Sequence, residues 1–248
     1  MYKRRIYRNN TKNNPSLEKF ELKYFESDLL FYTDTNLENI ARRWLMFYHD
    51  QILQYCCENP EFRKSLAPLK LKGKLPLIIR RMLFASKQAH VGPMASVAGA
   101  IAEFVGKKLL AYSKTVIIEN GGDIFIKTEK KRKVGLFAGM NSIYNRLYLN
   151  ISPADTPCGI CTSSSKIGHS LSFGKTEACV IIAKSAIIAD CFATYIGNLI
   201  KSESDFSKAL KIVKSHKSIS GAIFITNSKL TAYGKLKLNV LDKHKLDW

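Results

Sequence analysis

The chain has 248 residues and a mass of 28.0 kDa, which is enough for one large domain with a substantial core or for two small ones. Its hydrophobic content of 46% and charged content of 24% are those of a folded globular protein and exclude global disorder. The one compositional extreme is a net charge of +19, from 39 basic and 20 acidic residues.

The basic residues are scattered along the chain and accompany no nucleic-acid-binding motif. Scattered basic residues are typical of a solvated surface, so a nucleic-acid partner is not expected. The positive electrostatic field of the net charge would still attract anionic ligands such as nucleotides. The run Lys127–Lys133 lies between two apolar segments and predicts a hairpin tip.

Three further features bear on the compartment. No run of 18 apolar residues is present, so no membrane-spanning helix is expected. The basic N-terminal segment, residues 1–15, lacks the apolar stretch of a secretory signal. Six cysteines in a chain of this length do not make a disulfide framework. These features predict a reduced, cytoplasmic protein with no membrane partner.

The first half of the chain predicts edge strands followed by helices. Alternating segments in residues 1–35, such as 20–25, are typical of edge strands. Helical spacing of apolar residues predicts helices over 37–58 and 77–89, the second opened by Pro76. Residues 94–106 are rich in Ala and Gly and nearly uncharged, which predicts a buried helix that another backbone can approach closely.

The second half mixes strands and helices. Apolar segments predict strands over 116–119, 124–127, 134–138, 146–151, 178–183, 222–226 and 235–240. Helices are predicted over 185–200 and 205–216. Because strands and helices do not alternate strictly, the pattern favours the α+β class. No repeat or linker is evident, so one domain over residues 1–248 is expected. Its basic N-terminal segment, residues 1–15, could be flexible.

The first candidate site is the segment Glu119-Asn120-Gly121-Gly122-Asp123 between two predicted strands. Adjacent glycines allow positive φ and a close approach of backbone to a ligand, and Asn120 and Asp123 flank them with polar groups. A plain hairpin turn explains the same residues, and it is the commoner outcome.

The second candidate site is the segment 159–170, predicted as a polar loop. Its hydroxyls, among them Thr162, Ser163 and Ser164, could cradle phosphate oxygens together with backbone N–H groups. His169 lies among them and is the best placed histidine for a general base. A polar loop without a ligand is an equally good interpretation.

Asp190 and Thr194 form the third candidate site. They lie four residues apart on a predicted helix, so both oxygens share one face. Asp190 stands in an apolar stretch and needs a partner, which Mg²⁺ could provide together with water and a substrate phosphate. The alternative is an ion pair with Lys184 or Lys201.

Cys161 is the one cysteine in the predicted polar loop, so it has the best chance of being reactive. The pair Cys158 and Cys161 forms a CxxC motif, but no second pair completes a zinc site.

Three segments together carry a resemblance to a known family: VGPMASVAGAIAEFVGKKLL (91–110), ENGGDIFI (119–126) and CTSSSKIGHSLSFGKTEACVIIAKSAIIADCFAT (161–194). They resemble the uncharacterised protein family numbered 0280, which belongs to the superfamily of ApbE flavin transferases. The resemblance implies an ApbE-like domain with mixed sheets and packed helices. It also implies a protein that binds FAD with Mg²⁺ and moves FMN onto a Thr or Ser of an acceptor protein, releasing AMP.

The resemblance also implies roles for particular residues. Asp190 and Thr194 match the Mg²⁺ ligands, and His169 falls at the position of the catalytic histidine. Residues matching the flavin nucleotide site are the glycine turn and the hydroxyl segment: Gly121, Gly122, Asp123, Thr162, Ser163 and Ser164. Asn120 flanks this turn and joins them as a candidate for binding the cofactor.

The sequence departs from the family pattern at Ser165, Glu177 and His90, and the bulkier side chains could narrow a nucleotide pocket. His169 is followed by Ser-Leu-Ser-Phe-Gly-Lys, where ApbE has a His-Ile-Ile-Asp-Pro stretch. Two other functions therefore stay open. One is implied by the resemblance, since some methanogen relatives are connected with sulfide incorporation during homocysteine formation. It is a sulfur-assimilation factor in which Cys161 with a low thiol pKa acts as nucleophile or persulfide carrier. The other is a non-enzymatic binding module.

Overall fold

The structure is a computed structural model that describes residues 8, 16–70, 73–138, 142–164, 174, 176–226 and 228–240. Its strands are β1 (Glu18–Tyr24), β2 (Ser27–Thr33), β3 (Val116–Asn120), β4 (Asp123–Lys127), β5 (Arg132–Gly135), β6 (Leu147–Ile151), β7 (Cys158–Ser163), β8 (Ala178–Ala183), β9 (Ile219–Ile225), β10 (Leu230–Gly234) and β11 (Leu238–Val240). Its helices are α1 (Glu38–Glu58), α2 (Pro60–Lys64), α3 (Leu77–Ala89), α4 (Val97–Leu109), α5 (Ala186–Leu199) and α6 (Phe206–Ser215).

Eight strands form one antiparallel sheet in the order β1-β2-β3-β4-β7-β8-β9-β10, and β11, β6 and β5 form a second sheet. One core lies between the large sheet and the helices, and a smaller core lies between the two sheets. Alternate residues of β8 therefore enter different cores, Ile181 facing the helices and Val180 facing the small sheet. This explains why the whole strand is apolar and buried.

The α+β class is confirmed by this mixture of helices and antiparallel sheets. The predicted helices are present with small shifts at their ends, and the Ala- and Gly-rich helix begins at Val97 after a 3-10 turn. Among the described residues, no helix combines the length and apolar content that crossing a membrane requires.

Two sequence predictions are wrong, and a third is right only in part. The segment 159–170 does not begin as a loop, because β7 runs from Cys158 to Ser163 at the centre of the large sheet. The run Lys127–Lys133 is not a hairpin tip, because β4 and β5 belong to different sheets. Of the N-terminal strands only β1 is an edge strand, since β2 pairs on both sides.

Candidate functional site

A two-residue hairpin turn forms the first part of the candidate site. Gly121 and Gly122 join β3 to β4 with φ of 72° and 99°, and Asn120 pairs with Asp123 across them. Glycine adopts two consecutive positive φ values without strain, and this turn fits the twist of the strands. A Cβ at Gly122 would meet nothing nearer than the Thr162 carbonyl oxygen at 4.0 Å, so there is space beside the turn. The hairpin interpretation is confirmed, and a ligand role stays a prediction.

Two buried carboxylates from different elements lie close to each other near this turn. Asp123 begins β4, and Asp190 lies in the second turn of α5. Asp190 Oδ2 accepts a hydrogen bond from the Gly99 backbone N–H at 2.9 Å. Asp123 Oδ1 is buried and has no hydrogen-bond partner in the described part of the chain.

The two carboxylates hold their protons more tightly than ordinary aspartates. Burial raises the pKa of Asp190 to about 7, against a smaller opposing effect of the Gly99 N–H. Burial and then repulsion by Asp190 raise the pKa of Asp123 well above its ordinary value. Within the described ranges neither forms an ion pair, so the pairing of Asp190 with Lys184 or Lys201 is not observed. The pair therefore needs either a proton or a cation to be stable in its buried surroundings.

Cys161 lies on β7, fully buried against this pair, and its prediction as a loop residue is wrong. Its Sγ is 3.3 Å from the Ala186 carbonyl oxygen and also adjoins the Asp123 carboxylate. A single thiol hydrogen can serve only one of these acceptors. Burial and then the charges of Asp123 and Asp190 raise the thiol pKa well above its ordinary value. The low pKa expected of a nucleophile is therefore wrong, because this environment holds the thiol protonated.

The predicted hydroxyl groups belong to adjoining elements. Thr162 and Ser163 end β7, Ser164 follows it, and α5 packs directly on β7. Ser163 lies under α5, since a Cβ at Gly197 would be 3.1 Å from Ser163 Oγ. Thr194 lies one helical turn after Asp190 and is half-buried. The binding roles of these hydroxyls stay predictions.

Other predicted features are placed differently. His169 and Ser165 lie outside the described residues, so the proposed general base stays a prediction. His90 ends α3 with φ of 54° and is exposed, with its ring centroid 6.1 Å from that of Tyr195. Glu177 is buried and accepts a hydrogen bond from Ser142 Oγ at 3.3 Å.

Residues around the site that sequence reasoning did not single out are mostly backbone groups. Besides Gly99, the Ala98 carbonyl accepts from Asn120 Nδ2 at 3.3 Å. Both belong to the small-residue segment for which a close backbone approach was expected. That approach is observed, because a Cβ at Gly99 would be 2.4 Å from the Ala186 carbonyl oxygen.

A buried ion cluster supports the turn from the other side. Glu119 Oε1 accepts from the Gly122 N–H at 2.7 Å, and Glu119 Oε2 accepts from Arg8 Nε at 2.6 Å. Arg8 also binds Asp28 through Nη1 at 2.7 Å. Glu119 lies inside the ENGGD motif, but its partner is 111 residues away in sequence and could not be inferred from it.

The donor set suits a hard cation. The described residues contain no group of three or more His, Cys, Asp or Glu side chains that could hold a metal ion. They do contain two adjacent carboxylates, of which one oxygen is buried without a partner, and the Thr194 hydroxyl one turn further along α5. Mg²⁺ accepts few protein oxygens and completes its shell with water and phosphate, so these residues could hold it.

Comparisons with known proteins agree with the fold. A sequence model of the family described as "AbpE bacteria" matches residues 9–221. A UPF0280 protein of Methanococcus aeolicus is 38% identical over 218 residues, covering 86% of this chain and 88% of its own length. A UPF0280 protein of Methanothermobacter thermautotrophicus is 41% identical over 158 residues, covering 63% of this chain and 61% of its own length.

Solved structures show the same architecture. The apo form of the flavinyl transferase ApbE of Pseudomonas stutzeri matches with a TM-score of 0.59 at 12% identity, over 88% of this chain and 94% of that chain. The flavin transferase ApbE of Vibrio cholerae matches with a TM-score of 0.55 at 10% identity, over 88% and 97%. At such identities these matches establish a shared fold. With the family match over residues 9–221 and the relatives at 38% and 41% identity, they show that the chain belongs to the UPF0280 family of ApbE-like proteins.

Proposed function

We propose that this protein binds FAD together with Mg²⁺ and transfers the FMN half to a hydroxyl group of an acceptor protein. The observation that carries the proposal is the buried pair Asp123 and Asp190, which lies next to an open glycine turn. Within the described residues, Asp123 Oδ1 has no hydrogen-bond partner. The flavin transferases that share the fold of this protein support the same substrate class.

Individual residues of the chain would have the following roles in binding the metal and the nucleotide. Asp123, Asp190 and Thr194 would hold Mg²⁺, which neutralises pyrophosphate charge when bound. The turn at Gly121 and Gly122 leaves room for the nucleotide to approach the backbone.

The remaining groups would orient the nucleotide and move the proton. Asn120 and the hydroxyls of Thr162, Ser163 and Ser164 would orient the phosphates. His169 would take the proton from the acceptor hydroxyl, whose oxygen attacks the phosphorus of the FMN half. The bond from that phosphorus to the bridging oxygen breaks, and AMP leaves.

The test is a calorimetric titration of the protein with FAD, with and without MgCl₂. We expect Mg²⁺-dependent binding that Asp190→Asn weakens by roughly 100-fold or more, because one carboxylate ligand is lost. Glu103→Gln is the matched control, since Glu103 is a buried carboxylate of α4 that binds Ser185 at the start of α5 rather than the pair. It should bind FAD as the wild type does. Failure of the wild type to bind FAD with Mg²⁺ would overturn the proposal.

Binding and transfer are separated by a second measurement. AMP release from FAD in the presence of a Thr- or Ser-containing acceptor is expected of a transferase and is absent from a binding module. A lysate of the source cell supplies every candidate acceptor for this assay. If the protein then binds FAD tightly with Mg²⁺ but releases no AMP, the protein is a binding module and not a transferase.

A further inference from the structure

The exposed face of α3 combines basic and large apolar side chains, in a part of the chain that has no acidic residues. No Asp or Glu occurs between Glu61 and Glu103, whereas this stretch contains eight Lys and Arg residues. On α3 itself the residues Leu77, Arg80, Arg81, Phe84 and Lys87 are exposed. Their spacing places them on one side of the helix, opposite the buried Ile78, Ile79, Met82 and Ala85.

This side of the helix combines free cations with protruding apolar side chains. Leu77 is 50% exposed and Phe84 is 56% exposed, although both are large apolar residues. Arg80, Arg81 and Lys87 form no ion pair with any residue that the structure describes. We call Leu66, Leu77, Arg80, Arg81, Phe84 and Lys87 the basic face.

Leu66 lies near the residues that follow the C-terminal end of α3. A Cβ at Gly92 would overlap the Ser65 carbonyl oxygen, at 1.8 Å, so the chain at Ser65 packs directly on the residues that follow α3. Leu66 is 64% exposed there. The same end of α3 reaches the candidate site, because the ring of His90 contacts that of Tyr195, the neighbour of Thr194.

We propose that the basic face docks an acidic segment of the acceptor protein, and this inference rests on the proposed function. Each arginine has a planar guanidinium group that can donate two parallel hydrogen bonds to one carboxylate. Exposed Phe and Leu side chains supply the apolar anchors typical of protein interfaces. A membrane surface fits less well, since α3 turns its continuous apolar side into the core and leaves only isolated side chains outside. A segment bound here would bring the acceptor hydroxyl to the end of α3 that adjoins the site.

The test measures binding of a fluorescein-labelled copolymer of glutamate and tyrosine by fluorescence anisotropy. The variant Arg80→Glu/Arg81→Glu is compared with Lys211→Glu/Lys214→Glu, which makes the same charge change on the exposed side of α6. We expect the α3 variant to bind about tenfold or more weakly and the α6 variant to stay within about twofold of the wild type. Arg80→Gln/Arg81→Gln should give an intermediate loss. Equal losses in the α3 and α6 variants would overturn the proposal, because binding would then follow net charge alone.

Two further arms separate the alternatives. If the α3 variant loses binding to phosphatidylglycerol vesicles but keeps its affinity for the copolymer, the face binds lipid and the proposal is wrong. The FAD titration is repeated on the same variants, and the α3 variant should keep wild-type affinity because its changed residues are exposed on α3. A wild type that binds the copolymer through this face but not FAD would refute the proposed function and leave the docking face standing. The opposite pattern would refute the docking face alone.

Discussion

The fold raises the pKa of the Asp190 carboxyl into a pH range in which its effect on stability can be measured. This carboxyl is buried in α5 with a single backbone donor, and its pKa is raised from 3.8 to about 7. The neighbouring Asp123 is shifted in the same direction. Without bound metal, the folded pair therefore keeps a proton up to about pH 7, whereas the unfolded chain releases it near pH 3.8.

The first prediction is a pH dependence of stability that Asp190 causes. Between pH 3.8 and about 7 the folded state binds a proton that the unfolded state does not, so the free energy of unfolding falls as pH rises through this range. Asp190→Asn should flatten the dependence in urea melts without metal. Adding MgCl₂ should raise the free energy of unfolding of the wild-type protein at the upper end of this pH range, because the metal binds the ionised carboxylates. An unchanged pH profile in Asp190→Asn would contradict this account.

The second prediction concerns the six thiols, of which only Cys57 is exposed. Ellman's reagent should label one thiol per folded chain rapidly and all six after denaturation. Cys57→Ser should remove the fast phase, whereas Cys161→Ser should leave it unchanged. Fast labelling of Cys161 would revive the sulfur-assimilation hypothesis, for which a raised thiol pKa is unfavourable.

At the scale of elements, α5 packs closely against α4 and β7 because glycines without side chains lie at both contacts. A Cβ at Gly99 of α4 would lie 2.4 Å from the Ala186 carbonyl oxygen, and one at Gly159 of β7 would lie 2.2 Å from Ala186 Cα. These contacts bring the start of α5, and with it Asp190, close to β4 and β7. The small-residue pattern of α4 allowed a close approach to be predicted from sequence, but it did not identify the partner.

The third prediction tests this close packing. Gly159→Ala should lower the free energy of unfolding by about 1–3 kcal/mol, because backbone atoms of α5 must move. It should also weaken Mg²⁺-dependent FAD binding. Gly73→Ala is the control, since Gly73 has φ of 103° but a Cβ there would meet nothing within 4 Å. It should show the cost of backbone strain without loss of binding. Equal effects of the two substitutions on FAD affinity would refute the packing argument.

Element boundaries were predictable where the chain carries strong periodicity or a clear stop. The helix α3 begins after Pro76 and ends at Ala89, as expected from its apolar spacing. The strand β7 was missed because Gly159, Thr162 and Ser163 give it the composition of a loop. Its burial comes from long-range pairing with β4 and β8, which no local pattern encodes.

At the scale of the whole molecule, the sequence could not show which strands share a sheet. Adjacent strands β4 and β5 enter different sheets, and β2 pairs with β3 across the four intervening helices. The family resemblance implied the fold because it draws on known relatives rather than on local pattern. The N-terminal contact of Arg8 is equally non-local, since it joins Asp28 and Glu119 on neighbouring strands.

The last prediction is that Arg8 stabilises the whole sheet through this contact. Asp28 and Glu119 are buried beside each other, and burial and then Glu119 raise the pKa of Asp28 to about 6. Arg8→Met should therefore lower the free energy of unfolding by about 3–5 kcal/mol near neutral pH, because it leaves both carboxylates buried without their guanidinium. The loss should shrink as pH falls below about 6, where Asp28 is protonated and no longer needs a cation. Arg42→Met removes an exposed pair with Glu38 and should leave the urea midpoint unchanged. Equal urea midpoints for Arg8→Met and the wild type at neutral pH would show that the N-terminal contact does not hold the sheet together.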